Sequence, residues 1–404
     1  MSTPQAAAAA ATQPARLIRC MNVKYSPNLG DGLLSECLEA ALVRQGGAEG
    51  LGSIDLAARG AYGDSMAGRG TIMSVLDAMP DGLRHLAVRL PLALASRRKW
   101  APHYEQGLDG AEAVVIGGGN LLSDHDLNFP TKLALALRAA QARGLPVAIY
   151  ACGMAGSWTS EGDRRLRSAL AAHPPVAVFL RDRASVERWN ARFADVSGCR
   201  AEIVRDPGLL ACDTWGTPER ARNDAAPHVG LGLMSHVAVR YHGETAISEA
   251  ELNAWYLALA RCLVGQGARV TAFTNGSPED RATAEALAPE LAAAGVAHVQ
   301  PETPAALSDT VASFDALVAF RMHAVIAAYS HAIPALALSW DDKLDAFMDS
   351  VDRLDWMGNP ATLAPEEAAA RLLAAAAEGV DPTTHARVIS EARADIGRLY
   401  QAIA

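Results

Sequence analysis

The segment Arg321-Met322-His323 lies between an apolar run, Ala316–Phe320, and the helical stretch AVIAAYSH that follows it. A guanidinium forks onto carboxylate or phosphate oxygens, an imidazole exchanges a proton near neutral pH, and a helix start offers free backbone N–H groups. Together these groups suit an anionic substrate that must also receive a proton. The same residues have a structural use as well: an arginine paired with a nearby acid, and a histidine capping the helix. Other chemically capable residues recur at equivalent places, each just past an apolar run. They are Asn28-Leu29-Gly30-Asp31, Gly117-Gly118-Gly119-Asn120, Cys152-Gly153, Arg181-Asp182, Asp206-Pro207 and Asp341-Asp342-Lys343. Three consecutive glycines let a backbone approach a ligand closely, but they also serve plain packing, and their spacing is not the GxGxxG of a dinucleotide site.

Lys343 is one of only four lysines among 36 basic residues. A compact ammonium beside an anion and an ordinary helix-start residue are both open readings of it. Arg181-Asp182 presents the same choice, with Ser185 one turn further on. Asp124-His125-Asp126 reads as D-x-D, a pattern that can hold a divalent ion on a nucleotide-sugar diphosphate. Short acidic tripeptides also open helices, so no metal is assigned. His236 and His242 flank Arg240 and Tyr241 in an expected loop where they could meet a sugar.

The elements that must position these residues alternate along the chain. Short runs, mostly continuously apolar, read as strands: Leu17–Val23, Ala113–Ile116, Val147–Tyr150, Val176–Leu180, Ala201–Val204, Val229–Met234, Arg269–Phe273, Val296–Val299, Ala316–Phe320 and Ala335–Ser339. Such runs suit parallel strands covered on both faces. Helical patterns lie between them, as at Gly32–Gln45, which Gly46 ends, and after Pro130, with Gly144 before the next strand. The expected class is α/β with doubly wound sheets. In open sheets of this kind ligands bind beyond the carboxyl ends of the strands, where the special residues fall. The polar stretch Gly216–His228 reads as a linker. The expected organisation is a flexible tail at 1–15, an α/β domain at 16–220, a second at 229–385 and a terminal helix at 386–404, with a site between the two domains.

Composition sets bounds on function. A chain of 404 residues, 50% hydrophobic and 20% charged, is neither disordered nor short of core, and its length implies two or three domains. The net charge of −9 argues against a dedicated nucleic-acid binder. Six cysteines without a C-x-x-C pair suit neither a zinc site nor a disulfide scaffold, so a reduced, cytoplasmic protein is expected. The opening alanines lack a basic n-region, and no apolar run reaches the ~18 residues of a membrane span. Residues 83–100, LRHLAVRLPLALASRRKW, join an apolar stretch to Arg97, Arg98, Lys99 and Trp100. They read as a contact with an anionic membrane surface or as a buried helix with a solvated basic end.

Taken together, these motifs resemble the polysaccharide pyruvyl transferase family. The resemblance is carried by NLGD at Asn28–Asp31, VVIGGGNLLSD at Val114–Asp124, RDRAS at Arg181–Ser185 and DPGLLA at Asp206–Ala211. Its most specific stretch is AFRMHAVIAAYSHAIPALALSWDDKLDAF at Ala319–Phe347. It implies two Rossmann-like domains facing across a cleft, a GT-B-like architecture, and transfer of the enolpyruvyl unit of phosphoenolpyruvate to a sugar as a pyruvate ketal. It further implies phosphoenolpyruvate contacts from Arg321, Met322 and His323, with His323 the general acid and Arg181 and Lys343 further anion contacts. Asn28, Gly30, Asp31, Gly118, Gly119 and Asn120 would line the cleft or meet the acceptor. The expected partners are phosphoenolpyruvate as co-substrate and a sugar acceptor, a lipid-linked precursor among the candidates, with no separate cofactor and no metal. Where the family often has GQG, this chain reads ACG at Ala151–Gly153. A GT-B glycosyltransferase using a nucleotide sugar, or a non-catalytic sugar-binding relative, would use the same loops differently.

Overall fold

The computed structural model describes residues 15–63, 91–218, 226–237 and 247–404. The alanine-rich start, residues 83–90 of the basic segment, the middle of the expected linker, and Arg240, Tyr241 and His242 lie outside the described residues. The strands form two six-stranded sheets in which every pairing is parallel. The first contains β1 (Ile18–Asn22), β2 (Gly52–Asp55), β3 (Ala113–Gly117), β4 (Val147–Cys152), β5 (Ala177–Leu180) and β6 (Ala201–Ile203), in the order β2-β1-β3-β4-β5-β6. The second contains β7 (His228–Gly232), β8 (Arg269–Phe273), β9 (Ala297–His298), β10 (Ala316–Ala319), β11 (Ala335–Leu338) and β12 (Met357–Gly358), in the order β12-β11-β10-β7-β8-β9. Relabelled from β7, the second order is that of a Rossmann sheet.

All ten apolar runs become strands; β3, β4, β5, β10 and β11 are buried at every residue, as apolar strands covered on both faces must be, whereas β6 and β9 are largely exposed sheet edges. The two strands without such a run, β2 and β12, are short edges paired on one side only. Among the described residues, helices of nine residues or more cover the sheets. They are α1 (Leu29–Arg44), α2 (Asn128–Gln141), α3 (Ser160–Ala172), α4 (Arg183–Arg192), α5 (Glu249–Gly265), α6 (Pro278–Ala293), α7 (Pro304–Ala312), α8 (Met322–Ser330), α9 (Asp342–Ser350), α10 (Pro365–Glu378) and α11 (Pro382–Ile403). Helix α1 begins three residues before the expected Gly32. Asn28 is its N-cap, with Oδ1 accepting from Gly30 N at 3.2 Å. The NLGD motif is therefore a cap and first turn rather than a loop, since an Asn side chain satisfies a helix-start donor.

Helix α1 joins the two halves. Leu33, Leu34, Cys37, Leu38 and Leu42 are fully buried along it. Leu33, Cys37 and Leu38 share one apolar cluster with Val115 and Tyr150 of the first sheet and with Val311, Leu317 and Ile326 of the second half. Helix α11 returns to the first sheet, packing against β4 and β5. The turn after β6 is tied to it as well. Arg205 N donates to Asp395 Oδ2 at 2.8 Å, its guanidinium meets Glu391 at 2.7 Å, and Nη1 donates to Ser350 O at 2.6 Å. Replacing Leu33 by Ala is expected to cost about 2–5 kcal/mol in urea unfolding, within a single shifted transition, because the cavity opens in a core shared by both halves. A cost below ~1 kcal/mol, or two transitions of which one shifts, would contradict a shared core.

Candidate active site

In each sheet one pair of neighbouring strands sends its connections in opposite directions: β1 and β3 in the first, β7 and β10 in the second. Such switch points open a crevice beyond the strand ends. The start of α1 and the triglycine loop occupy the first; Phe320, Arg321 and the start of α8 occupy the second. The two meet. Leu29 N donates to Asn275 O, in the loop after β8, at 2.7 Å. A Cβ on Gly30 would lie 2.7 Å from His323 Cβ and 2.8 Å from its Nδ1. Thus His323 of the second half rests on the bare backbone of the first turn of α1.

The triglycine loop serves this close approach. Gly118 and Gly119 take φ of +83° and +69°, and a Cβ on Gly118 would come within 2.0 Å of Leu34 Cδ1. A Cβ on Gly119 would stand 3.5 Å from Asp31 Oδ1, so the loop passes the Asp31 carboxylate. Beside it, Ala151 is held at φ +51° where the β4–β5 register shifts, a conformation costly for a residue with a side chain. A Cβ on the neighbouring Gly153 would lie 2.9 Å from Arg181 Nη2 and 3.1 Å from Asn120 Oδ1. The ACG variant therefore still ends in the glycine that makes room for Arg181.

His323, 7% exposed, is the centre of the cluster. Its Nε2 has no hydrogen-bond partner and stands 4.0 Å from Asp206 Oδ2. That same oxygen is 3.4 Å from Arg181 Nη1. Burial holds the His323 imidazole below its usual range; the Asp206 and Asp31 carboxylates oppose that shift, and Arg181 and Arg321 reinforce it. The Asn120 Oδ1 and Asn275 Nδ2 atoms are likewise buried without partners. Unsatisfied polar atoms of this kind are rare in a finished interior and suit a site awaiting a ligand.

Arg321 precedes α8 as its N-cap residue. Its Nε donates to Asp280 Oδ2 at 2.8 Å, and its Nη2 lies 2.7 Å from the same oxygen and 2.9 Å from Ser277 Oγ. The structural use of this arginine is thus realised, and Nη1 remains without a hydrogen bond among the described residues. Met322 opens α8 and packs against the core, which leaves the first-turn amides as its polar contribution. Lys343 is not drawn into the cluster. Its Nζ pairs with Asp341 Oδ2 at 2.8 Å, and Asp341 caps α9. Trp340 Nε1 donates to Phe320 O at 2.6 Å, so this loop lies beside the end of β10.

Other singled-out residues are structural. Asp182 caps α4 through Ser185, whose Oγ accepts from Met154 N at 2.8 Å. The Asp124 carboxylate accepts from Leu127 N and from Thr159 N and Oγ1, tying the strand-end loop to the start of α3. Among the described residues no three His, Cys, Asp or Glu side chains converge as metal ligands. His236 Nε2 pairs with Ile247 O at 2.7 Å. The sequence marks Asp206 by its place after a strand but assigns it no role, and it leaves Asn275, Ser277 and Asp280 unmarked. The positional rule that marked the other loops would have marked TNGSPED after the Arg269–Phe273 strand as well.

One consequence is measurable without a ligand. A histidine whose folded pKa lies below its unfolded 6.5 contributes stability that is present above pH 6.5 and lost as pH falls through the folded value. Between about pH 7 and pH 5 the urea midpoint is therefore expected to fall more steeply for the wild type than for His323→Gln. Equal slopes would remove the neutral, buried imidazole.

Comparison with known proteins places this geometry. Three UDP-N-acetylglucosamine 2-epimerase structures resemble the whole chain. The putative enzyme from Listeria monocytogenes aligns at TM-score 0.53 and 10% identity, covering 97% of this chain and 96% of its own. The enzyme from Neisseria meningitidis, bound to UDP-GlcNAc, aligns at 0.52 and 10%, covering 96% and 99%. That from Methanocaldococcus jannaschii aligns at 0.52 and 9%, covering 93% and 98%. At such identity they establish the fold alone: two Rossmann-like domains in the GT-B arrangement. No curated protein matches the chain in sequence. A sequence profile described as polysaccharide pyruvyl transferase matches residues 28–342, well over half the chain and all of the cluster around His323, and the protein belongs to that family.

Proposed function

We propose that this protein transfers the enolpyruvyl unit of phosphoenolpyruvate to a sugar hydroxyl and closes it as a pyruvate ketal. The observation that carries the reading is the buried imidazole of His323, at the start of α8, within electrostatic reach of two guanidiniums, Arg181 and Arg321. Phosphoenolpyruvate brings a carboxylate and a phosphate, which two arginines and the first-turn amides of Met322 and His323 can receive. Its negative charge beside His323 favours the imidazolium that burial otherwise disfavours. His323 then protonates the methylene carbon, cationic character develops at the adjacent carbon, and a sugar hydroxyl attacks there. Phosphate departs with the proton of that hydroxyl, and a second hydroxyl closes the ketal as its own proton returns to His323. Asn28, through its cap on Gly30, sets the first turn of α1, and Asp31, Gly118, Gly119 and Asn120 face the acceptor. Lys343, paired with Asp341 in this structure, would have to leave that partner to meet the donor. The chemistry needs a proton donor, cationic groups and exclusion of water, and these side chains supply all three.

A nucleotide sugar is the second reading, favoured by the UDP-GlcNAc bound in the Neisseria meningitidis structure. Phosphoenolpyruvate is expected to raise the melting temperature and UDP-sugars to leave it unchanged; the reverse pattern would exchange the two readings. His323→Ala is expected to keep the phosphoenolpyruvate-induced shift and to lose phosphate release by about 10²–10⁴-fold. Release that survives this substitution would remove the assigned acid.

We place the protein in the cytoplasm, working on a sugar acceptor for which a lipid-linked precursor is one form. No helix among the described residues is long and apolar enough to cross a membrane. Leu94, Arg97, Arg98 and Lys99 are exposed just before the buried Trp100, a pattern that suits an anionic lipid surface. Alanine at the three basic positions is expected to reduce sedimentation with phosphatidylglycerol vesicles, and unchanged sedimentation would set the membrane contact aside.

A further inference from the structure

Asp206 is 4% exposed, and each of its carboxylate oxygens is placed. Oδ1 accepts from Gly208 N at 2.9 Å, capping a 3₁₀ turn at Pro207–Leu210. That turn is wedged between the two halves. A Cβ on Gly208 would stand 3.1 Å from Ile326 Cγ2 of α8 and 3.4 Å from Leu33 Cδ2 of α1. Oδ2 faces the cluster, 3.4 Å from Arg181 Nη1 and 4.0 Å from His323 Nε2. The first contact is a long hydrogen bond, and the second lies beyond hydrogen-bond reach. One buried anion is thus shared by a cation that is always charged and an imidazole that need not be.

We infer that Asp206 is the positioning residue of His323, and that Arg181 governs how far its carboxylate serves the imidazole. This rests on the reading of His323 as the acid. With Arg181 turned to Asp206, the imidazole lacks a partner and stays neutral. An anion that draws Arg181 away leaves Oδ2 to His323, which closes the gap, takes up a proton and is aimed by the contact. Binding of the anionic substrate would then load the acid that acts on it. The charged groups facing His323 are Asp206 from the turn after β6, Asp31 from α1, Arg181 from the end of β5 and Arg321 from the end of β10. Of the two carboxylates, Asp206 is the one that comes within 4.0 Å of Nε2.

Titration of the His323 ring resonances by NMR, identified by their loss in His323→Ala, tests this in the full chain without any acceptor. In Asp206→Asn, which keeps an Oδ1 to cap Gly208, the midpoint is expected to move to lower pH by about one unit or more. In Arg181→Gln it is expected to move to higher pH. A merely structural role for the pair would not move the midpoint in opposite directions. An unchanged midpoint in Asp206→Asn overturns the assignment. Should that variant fail to fold, an unchanged or lowered midpoint in Arg181→Gln overturns it equally. Phosphoenolpyruvate added to the wild type is expected to raise the midpoint, and the same addition to Asp206→Asn to raise it less. Opposite shifts in the two variants, with no phosphoenolpyruvate binding to the wild type, would uphold Asp206 and count against the donor alone.

Discussion

The first turn of α1 is the constraint on which the remaining geometry depends. It meets three partners at once: its backbone meets the Asn275 carbonyl of the other half and the His323 ring, and its Asp31 side chain meets the triglycine loop of its own sheet. Each contact demands the absence of a side chain or the presence of a cap. Gly118 yields to Leu34, Gly30 yields to His323, and Asn28 satisfies the donor that would otherwise be stranded. Interiors pack at nearly crystalline density, so a Cβ on Gly30 would displace the imidazole or part the halves, and one on Gly118 would displace the Leu34 side chain. The buried face of α1 then makes this contact permanent rather than occasional. Leu33, Cys37 and Leu38 belong to a core that neither half owns.

The charges follow from that closure. Once the halves are pressed together, arginines near the crevice cannot stand in water and must take partners. Arg321 takes Asp280, fully buried, and Arg181 takes Asp206. Buried pairs of this sort add little net stability, because desolvation offsets most of their attraction. Their value lies in holding guanidiniums at set positions before any substrate arrives, with reorganisation already done. His323 receives no such partner. Its Nε2, like Asn120 Oδ1 and Asn275 Nδ2, is buried without a partner.

One strained residue of the backbone lies at the same place. Ala151 at positive φ and the register shift in β4 lie beside Gly153, which abuts the Arg181 guanidinium. Strain of this kind persists only when surrounding packing over-determines it. Tyr150 and Cys152 on either side are fully buried, which supplies that packing.

By itself the amino-acid order determined the strands, the parallel class and the strand-end placement of Arg321, His323, Arg181 and the glycines. Those features are local: a strand covered on both faces is apolar throughout, and a βα turn declares itself by glycine and cap residues. Strands β2 and β12 escaped because neither carries an apolar run: Gly52–Asp55 holds a glycine, a serine and an aspartate, and Met357–Gly358 is two residues long. The start of α1 escaped because NLGD reads equally as a loop or as a cap with its first turn. Only the tertiary structure decided partners. Asp206 and His323 are 117 positions apart, and Arg321 and Asp280 are joined through a loop that looks polar and ordinary in sequence. Lys343, rare by composition, proved to pair locally with Asp341. Which carboxylate meets which cation depends on how two separately legible sheets dock, and docking is set by the shape of a shared core that no local pattern records.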